Sequence, residues 1–377
     1  MAFLPDLSAN PALGLFAPDE LRAHYASWLD ETSAFGGPDA HARSGAAPVY
    51  LDSGPSEAGA HELEVFVTCP RKYGYIYGMG GARKTGGAGA PPQRFIVPLI
   101  LGTMTHILMA HWSAKIAARQ ARGFRYVWTV KDPTETEPPE YAERVVTDPE
   151  EILDPVHAAS IYAGQIITAG ISPDPWKVAH LLSRAFVAWE AWIAYETPKL
   201  AGWEIVGVET PYVVEVPLKG GRKRRTSVRV DRTMQQVVSR KVVFDDHKTA
   251  AAPDGPMVAY YQISGQVSLL RALGRTLFGG TFGGVHLNII DVSGKKKMQR
   301  VAALPAPALD RYAGLRVIEI GQEIARLRAS GVPPHLWRTA QSYTACSGRE
   351  PCEFWQRCCF GEEAWQRILA QKSARAS

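Results

Sequence analysis

The chain has 377 residues, and its apolar fraction of 46% and charged fraction of 21% are those of a folded protein, which excludes disorder of the whole chain. No window approaches the ~18 uninterrupted apolar residues of a membrane span, and the N-terminus lacks the segments of a signal peptide, so a cytoplasmic location is expected with no membrane partner. A formal charge of +5 favours a polyanionic partner.

Residues 1–60 are rich in Ala, Pro, Gly and Ser, with a brief helical possibility at Pro18 to Leu29, and predict an irregular leader. The folded unit is expected over 61–377, with a helical insertion at about 110–200. Helical apolar spacing over Val97 to Arg119 and over Pro175 to Glu196, with Trp176, Trp189 and Trp192, predicts two core helices. Between them Lys131 to Pro155 is dense in Pro, Glu and Asp and predicts a long surface loop.

From Trp203 the pattern becomes alternating and β-branched. It predicts strands at Trp203 to Glu209, Tyr212 to Pro217, Thr226 to Arg232 and Val237 to Asp245, mostly antiparallel. Met257 to Leu273 then predicts a helix, Val285 to Val292 a strand, and Pro307 to Ala329 a helix stopped by Gly331 and two prolines. That order indicates an α/β or α+β domain.

Two adjacent strands end in acids: Val-Arg-Val-Asp231 and Val-Val-Phe-Asp-Asp246-His247-Lys248. Side chains repeat every second residue on a strand, so Asp246 and Lys248 share one side, and Asp231 joins them if its strand is the neighbour. Such a cluster suits phosphodiester hydrolysis. Carboxylates hold Mg²⁺ or Mn²⁺, the cation neutralises charge on the phosphate, and the lysine orients or deprotonates water. The other reading is a solvated pair on an edge strand; the apolar run Val242-Val243-Phe244 leading into the acids argues for a cleft. His106, on the first long helix, is either a nitrogen ligand or a structural histidine. Gln262 and Gln266 fall one turn apart, as DNA or lysine partners or as an ordinary polar face.

Basic residues gather in Lys219, Arg222, Lys223, Arg224 and Arg225, and in Lys295, Lys296, Lys297 and Arg300, as phosphate contacts or as solvated loop tips. Of five cysteines, Cys69 stands alone while Cys346, Cys352, Cys358 and Cys359 crowd together. Thiolates from both ends of a domain can share one metal centre and close a long loop; spacing does not decide between 4Fe–4S and Zn²⁺.

Taken together, these features resemble the RecB-like branch of the PD-(D/E)xK nucleases, the group of the AddB nuclease domain, the Cas exonuclease of CRISPR spacer acquisition and phage relatives. Cys69-Pro-Arg-Lys-Tyr is similar to that family's first cluster cysteine, Gly102-Thr-Met-Thr-His106 to its Gly-x-x-x-His motif, and Asp231 and Asp246-His-Lys248 to its acidic motifs. Gln266 lies where its glutamine motif follows the lysine strand, and Cys346, Cys352 and Cys358 resemble its terminal triad. Val228 replaces the usual glycine before the first acid, and Leu270 the usual tyrosine.

The resemblance implies an α/β restriction-endonuclease-like core with a mixed sheet flanked by helices and a four-cysteine cluster over 346–359 joining it to Cys69. It implies a metal held by His106, Asp231, Asp246 and the carbonyl of His247, with Lys248 assisting water and Gln266 supporting. It implies a 4Fe–4S cluster on Cys69, Cys346, Cys352 and Cys358, and exonuclease action on single-stranded DNA or ends in recombination, repair, phage or CRISPR-type processing. Tyr73, Tyr75 and Tyr77 are expected to be exposed for base stacking. A catalytically silent DNA-end-binding adaptor and a zinc-stabilised endonuclease are the alternatives. No Gly-x4-Gly-Lys-Ser/Thr loop is present, so any helicase is a separate chain.

Overall fold

The computed structural model describes residues 49–51, 65–77, 96–131, 140–168, 171, 174–217, 223–251, 255–262, 264–295 and 298–337, with the single residues 358, 367 and 370. The leader, including Pro18 to Leu29, lies outside them apart from 49–51.

Helices α1 (Pro70–Tyr77) and α2 (Val97–Arg119) are followed by strands β1 (Phe124–Lys131) and β2 (Glu140–Val146) and helices α3 (Pro155–Thr168) and α4 (Pro175–Glu196). Strands β3 (Trp203–Pro217), β4 (Lys223–Gln236) and β5 (Val242–Ala250) then lead through helices α5 (Gly255–Gln262) and α6 (Gly265–Phe278) to β6 (Phe282–Asp291), β7 (Met298–Ala302) and α7 (Pro307–Ala329). One sheet has the order β3-β4-β5-β6-β7, and a second is the β1-β2 pair. All neighbours are antiparallel except β5 and β6, which are parallel. The reason is connectivity: α5 and α6 carry the chain back to the starting end of β5 before β6 begins.

Helices cover both faces of the large sheet. On one side Met104, Ile107 and Leu108 of α2 pack with Ile161 of α3 and Trp189 and Trp192 of α4. Ala110, Ala114 and Ala117 of α2 meet Ile205, Met234 and Val243 of the sheet, their small side chains letting the helix lie close. Covered by helices on one side and strands on the other, α2 is buried around most of its circumference. On the opposite face Phe244, Val285 and Leu287 pack against Leu270 and Leu273 of α6, Ile320 and Ile324 of α7, and Trp337. At ~25 cal/mol per Å² of apolar area, these clusters supply most of the folding free energy.

Three predicted helices keep their boundaries: Val97–Arg119, Pro175–Glu196 and Pro307–Ala329. Each carries proline in its first turn, and Asp174 caps the second by accepting from the Trp176 amide. Elsewhere pairing overrides local pattern. The predicted break before Tyr212 is absent: β3 runs through Pro211, tolerated because β3 is an edge strand. Val237–Lys241 is a turn, with Arg240 at φ 58°, rather than the start of a strand. The helix predicted over Met257 to Leu273 is two helices, the second capped by Ser264 Oγ accepting from the Val267 amide. The expected loop at 131–155 contains β2, which finds its partner in β1. Among the described residues no helix is long and apolar enough to cross a membrane.

Candidate metal centre

On β5 the even-numbered Asp246 and Lys248 share a face, and Lys248 Nζ lies 2.7 Å from Asp246 Oδ2. The second oxygen of Asp246 accepts from Gln266 Nε2 at 2.9 Å. Gln266 stands in the first turn of α6, directed there by the Ser264 cap. An aromatic not foreseen, Tyr261 at the end of α5, has its ring centroid 5.8 Å from Lys248 Nζ. Leu270, at the place of the family's tyrosine, is instead buried in the apolar core.

Asp231 arrives from β4. The paired register of β4 with β5 runs from Gln235↔Val242 to Arg232↔Asp245, and beyond it Asp231 Oδ2 accepts the main-chain N–H of His247 at 2.6 Å. His106 Nδ1 of α2 is 3.8 Å from the same oxygen. One turn earlier on α2, a Cβ on Gly102 would come within 3.1 Å of Thr249 Oγ1; glycine here lets the helix approach β5 closely enough to deliver His106.

The residue pattern missed Glu209. It lies on β3 between Val208, paired with Arg232, and Thr210, paired with Val230, and so stands across from Asp231. Its φ of 49° bends the hairpin. The bend has a visible effect on packing: Val208 belongs to the core beneath α2, whereas Val228 and Val230 join that of Phe244. Ligand atoms of His106, Glu209 and Asp231 all lie within 4.8 Å of one another. No local pattern marks a left-handed glutamate in advance.

Electrostatics follows from burial of like charges. Burial pushes the Asp231 and Asp246 carboxyls up, and Lys248 only partly offsets it. Burial opposes the charge of Lys248 as well, but the two carboxylates outweigh it and hold its ammonium above the usual lysine range. Burial, then Lys248, lowers His106 from 6.5 to about 4, which keeps its imidazole neutral, the form that ligates metals. Crowded carboxylates short of cationic partners, beside a neutral imidazole, are a donor set that fits a hard divalent ion.

Other predicted residues fall elsewhere. Cys69 is buried, and its Sγ accepts from the Lys72 amide at 3.4 Å. The helix that follows it directly, α1, packs against the turn Pro334–Leu336, and Arg71 Nε donates to the Trp337 carbonyl at 3.0 Å. Cys358 is half-buried, while Cys346, Cys352 and Cys359 lie outside the described residues. Tyr73 corrects an expectation: it is fully buried, edge-on to Phe66, and its hydroxyl accepts from Arg328, so it offers no stacking surface. Tyr75 is half-buried, and the Tyr77 side chain lies outside the described residues. Lys219 and Arg222 are also outside them, with Lys296 and Lys297, and the side chains of Lys223, Arg224 and Arg225 share that status. Arg300 leaves the basic run altogether and turns inward onto Glu196 and Asn288.

Residues 58–359 match the PD-(D/E)XK nuclease superfamily. No match was found among curated proteins. A solved structure described as "Crystal structure of SSO0001" is similar at 12% identity and a TM-score of 0.28, covering 49% of this chain and 75% of that one. At that score the likeness adds nothing to the family match.

Proposed function

We propose, on the premise that the chain belongs to the PD-(D/E)XK nuclease superfamily, that it is a metal-dependent DNA exonuclease acting on single strands or ends. The observation that carries this is the convergence of two aspartates and one ammonium from neighbouring strands, with Lys248 Nζ 2.7 Å from Asp246 and the His247 amide on Asp231.

His106, Glu209 and Asp231 would hold the cation, with Asp246 and the His247 carbonyl completing the set. A bound Mg²⁺ or Mn²⁺ supplies Lewis acidity that neutralises charge developing on the phosphate. Lys248 orients the attacking water beside Asp246 and keeps a positive charge near the reacting phosphorus. Gln266 fixes the rotamer of Asp246 through its own hydrogen bond. Water adds to phosphorus, the bridging P–O bond breaks, and the leaving oxygen takes a proton.

A 4Fe–4S cluster on Cys69, Cys346, Cys352 and Cys358 belongs to the same reading, in its RecB-like form. It is supported by the docking of α1, the helix directly after Cys69, on Pro334–Leu336, shortly before the cysteine-rich segment. Visible absorbance of anaerobically purified protein, lost in Cys346→Ser, tests it; a colourless protein holding zinc would replace iron with a structural zinc site.

The nuclease is tested with end-labelled DNA and Mn²⁺ or Mg²⁺. Lys248→Ala is expected to lower turnover by about 10²–10⁴-fold with its circular dichroism unchanged, and a fully active variant would sink the assignment. Cleavage of closed circular DNA would move the activity from exonuclease to endonuclease.

A further inference from the structure

One cross-strand row runs from His247, at the edge of the site just described, away into the sheet. His247 on β5 pairs in register with Asn288 on β6, and Asn288 with Arg300 on β7. Arg300 is held rigidly: its Nη2 donates to both oxygens of Glu196 at 2.7 Å, and its main-chain amide donates to the Tyr195 hydroxyl at 2.9 Å. Glu196 is fully buried. From that anchor Arg300 Nε donates to Asn288 Oδ1 at 2.7 Å. Asn288 Nδ2 then lies 3.2 Å from His247 Nδ1.

Donor and acceptor chemistry fixes the rest. A guanidinium only donates, so the Asn288 oxygen must face Arg300 and its amide nitrogen must face His247. An amide NH₂ only donates, so His247 Nδ1 must accept and the ring proton sits on Nε2. The ring is also enclosed edge-on by Trp192, at 5.5 Å between centroids, and by His106, at 6.1 Å. Its main-chain N–H is the group that binds Asp231 Oδ2 at 2.6 Å.

We propose that Arg300 and Asn288 are positioning residues for the metal centre: the chain Glu196, Arg300, Asn288, His247 fixes one imidazole tautomer and, through it, the main-chain amide that aims Asp231. The function of the row as a positioning device rests on the nuclease reading above; its hydrogen-bond chemistry does not. Loss of Arg300 frees the Asn288 amide to flip, which sets oxygen against Nδ1, favours the other tautomer and leaves the His247 ring without its fixed anchor. Displacements of about 1 Å at a reacting centre cost on the order of 10²-fold.

The test has two arms. In the metal-free protein, ¹⁵N spectra of the histidine side chains, with His247 assigned from its absence in His247→Gln, are expected to show the neutral Nε2–H tautomer. Asn288→Asp replaces the donor by a carboxylate that only accepts, and is expected to move the proton to Nδ1. In the second arm, calorimetric Mn²⁺ affinity is expected to weaken about 10- to 100-fold in Asn288→Asp and in Arg300→Lys, with kcat falling and KM for DNA nearly constant. A wild-type Nδ1–H tautomer, or Mn²⁺ affinity within twofold of wild type in both variants, overturns the proposal. So does a raised KM with unchanged kcat in Arg300→Lys, which is the signature of a phosphate contact. Wild-type protein that shows the tautomer and the Mn²⁺ effects but cleaves no DNA sinks the nuclease reading and leaves the positioning chain standing.

Discussion

Asp245 and Asp246 are consecutive residues of one strand, both nearly inaccessible, and their surroundings push them in opposite directions. Burial alone raises both. Asp245 is met by Arg232 at 2.5 and 3.0 Å, by His286 at 3.2 Å and by Arg300 at 3.3 Å, and the Arg232 guanidinium above all, with His286 and Arg300, holds its carboxyl well below the usual range. Asp246 has Lys248, but Asp231 stands against it, and its carboxyl is raised. One face of β5 is thus an electrostatically saturated brace between α4 and the sheet, and the other is short of positive charge. A saturated cluster serves stability; a deficient one waits for a cation.

Changing each acid in turn breaks the comparison most sharply. Asp246→Asn is expected to reduce metal-dependent DNA cleavage by at least about 10²-fold while leaving the urea midpoint close to wild type. Asp245→Ala is expected to do the reverse, costing about 3–5 kcal/mol because Arg232 and Arg300 lose a buried counter-charge, with activity per folded molecule retained. If the two variants exchange these phenotypes, the division of the strand into brace and site is wrong.

A second satisfied group, His111, sharpens the contrast through pH. It is fully buried, accepts from the Leu51 amide at Nε2 and donates from Nδ1 to the Ile107 carbonyl, and burial lowers it from 6.5 to about 4. The unfolded chain therefore binds more protons than the folded one between these values. The contribution is fully present above pH 6.5 and disappears as pH falls towards 4, roughly 3 kcal/mol in all. Urea midpoints of wild type and His111→Leu across that window check it: the variant starts lower at neutral pH and declines less.

The smallest effect is on the deficient face itself. Mn²⁺ at about 100 times its Kd is expected to add about 2.7 kcal/mol of stability, seen as a raised Tm. Glu209→Gln is expected to cut that gain, and a Tm rise identical to wild type would remove Glu209 from the ligand set.

Much of the frame was legible from local pattern. Proline-led starts and apolar spacing marked the three long helices, and strand alternation paired Asp246 with Lys248 on one face. Gly102 and His106 could be seen as a motif, although the reason for the glycine, its approach to Thr249, could not. Strands that depend on a distant partner were less readable: β2 is polar and short, and β7 has five residues whose pairing lies on β6. Arg300 was grouped with the lysines next to it because charge runs look alike in one dimension. Only the fold turned it towards Glu196.

By itself, the sequence determined which residues can do chemistry here and along which strand they alternate, since a period of two is a property of the backbone. The tertiary structure alone decided which acid is neutralised and which is left wanting, because that depends on the guanidiniums of Arg232 and Arg300 brought from β4 and β7. It also decided Glu209, whose place opposite Asp231 follows from a bend in a paired hairpin and from nothing in its neighbours along the chain.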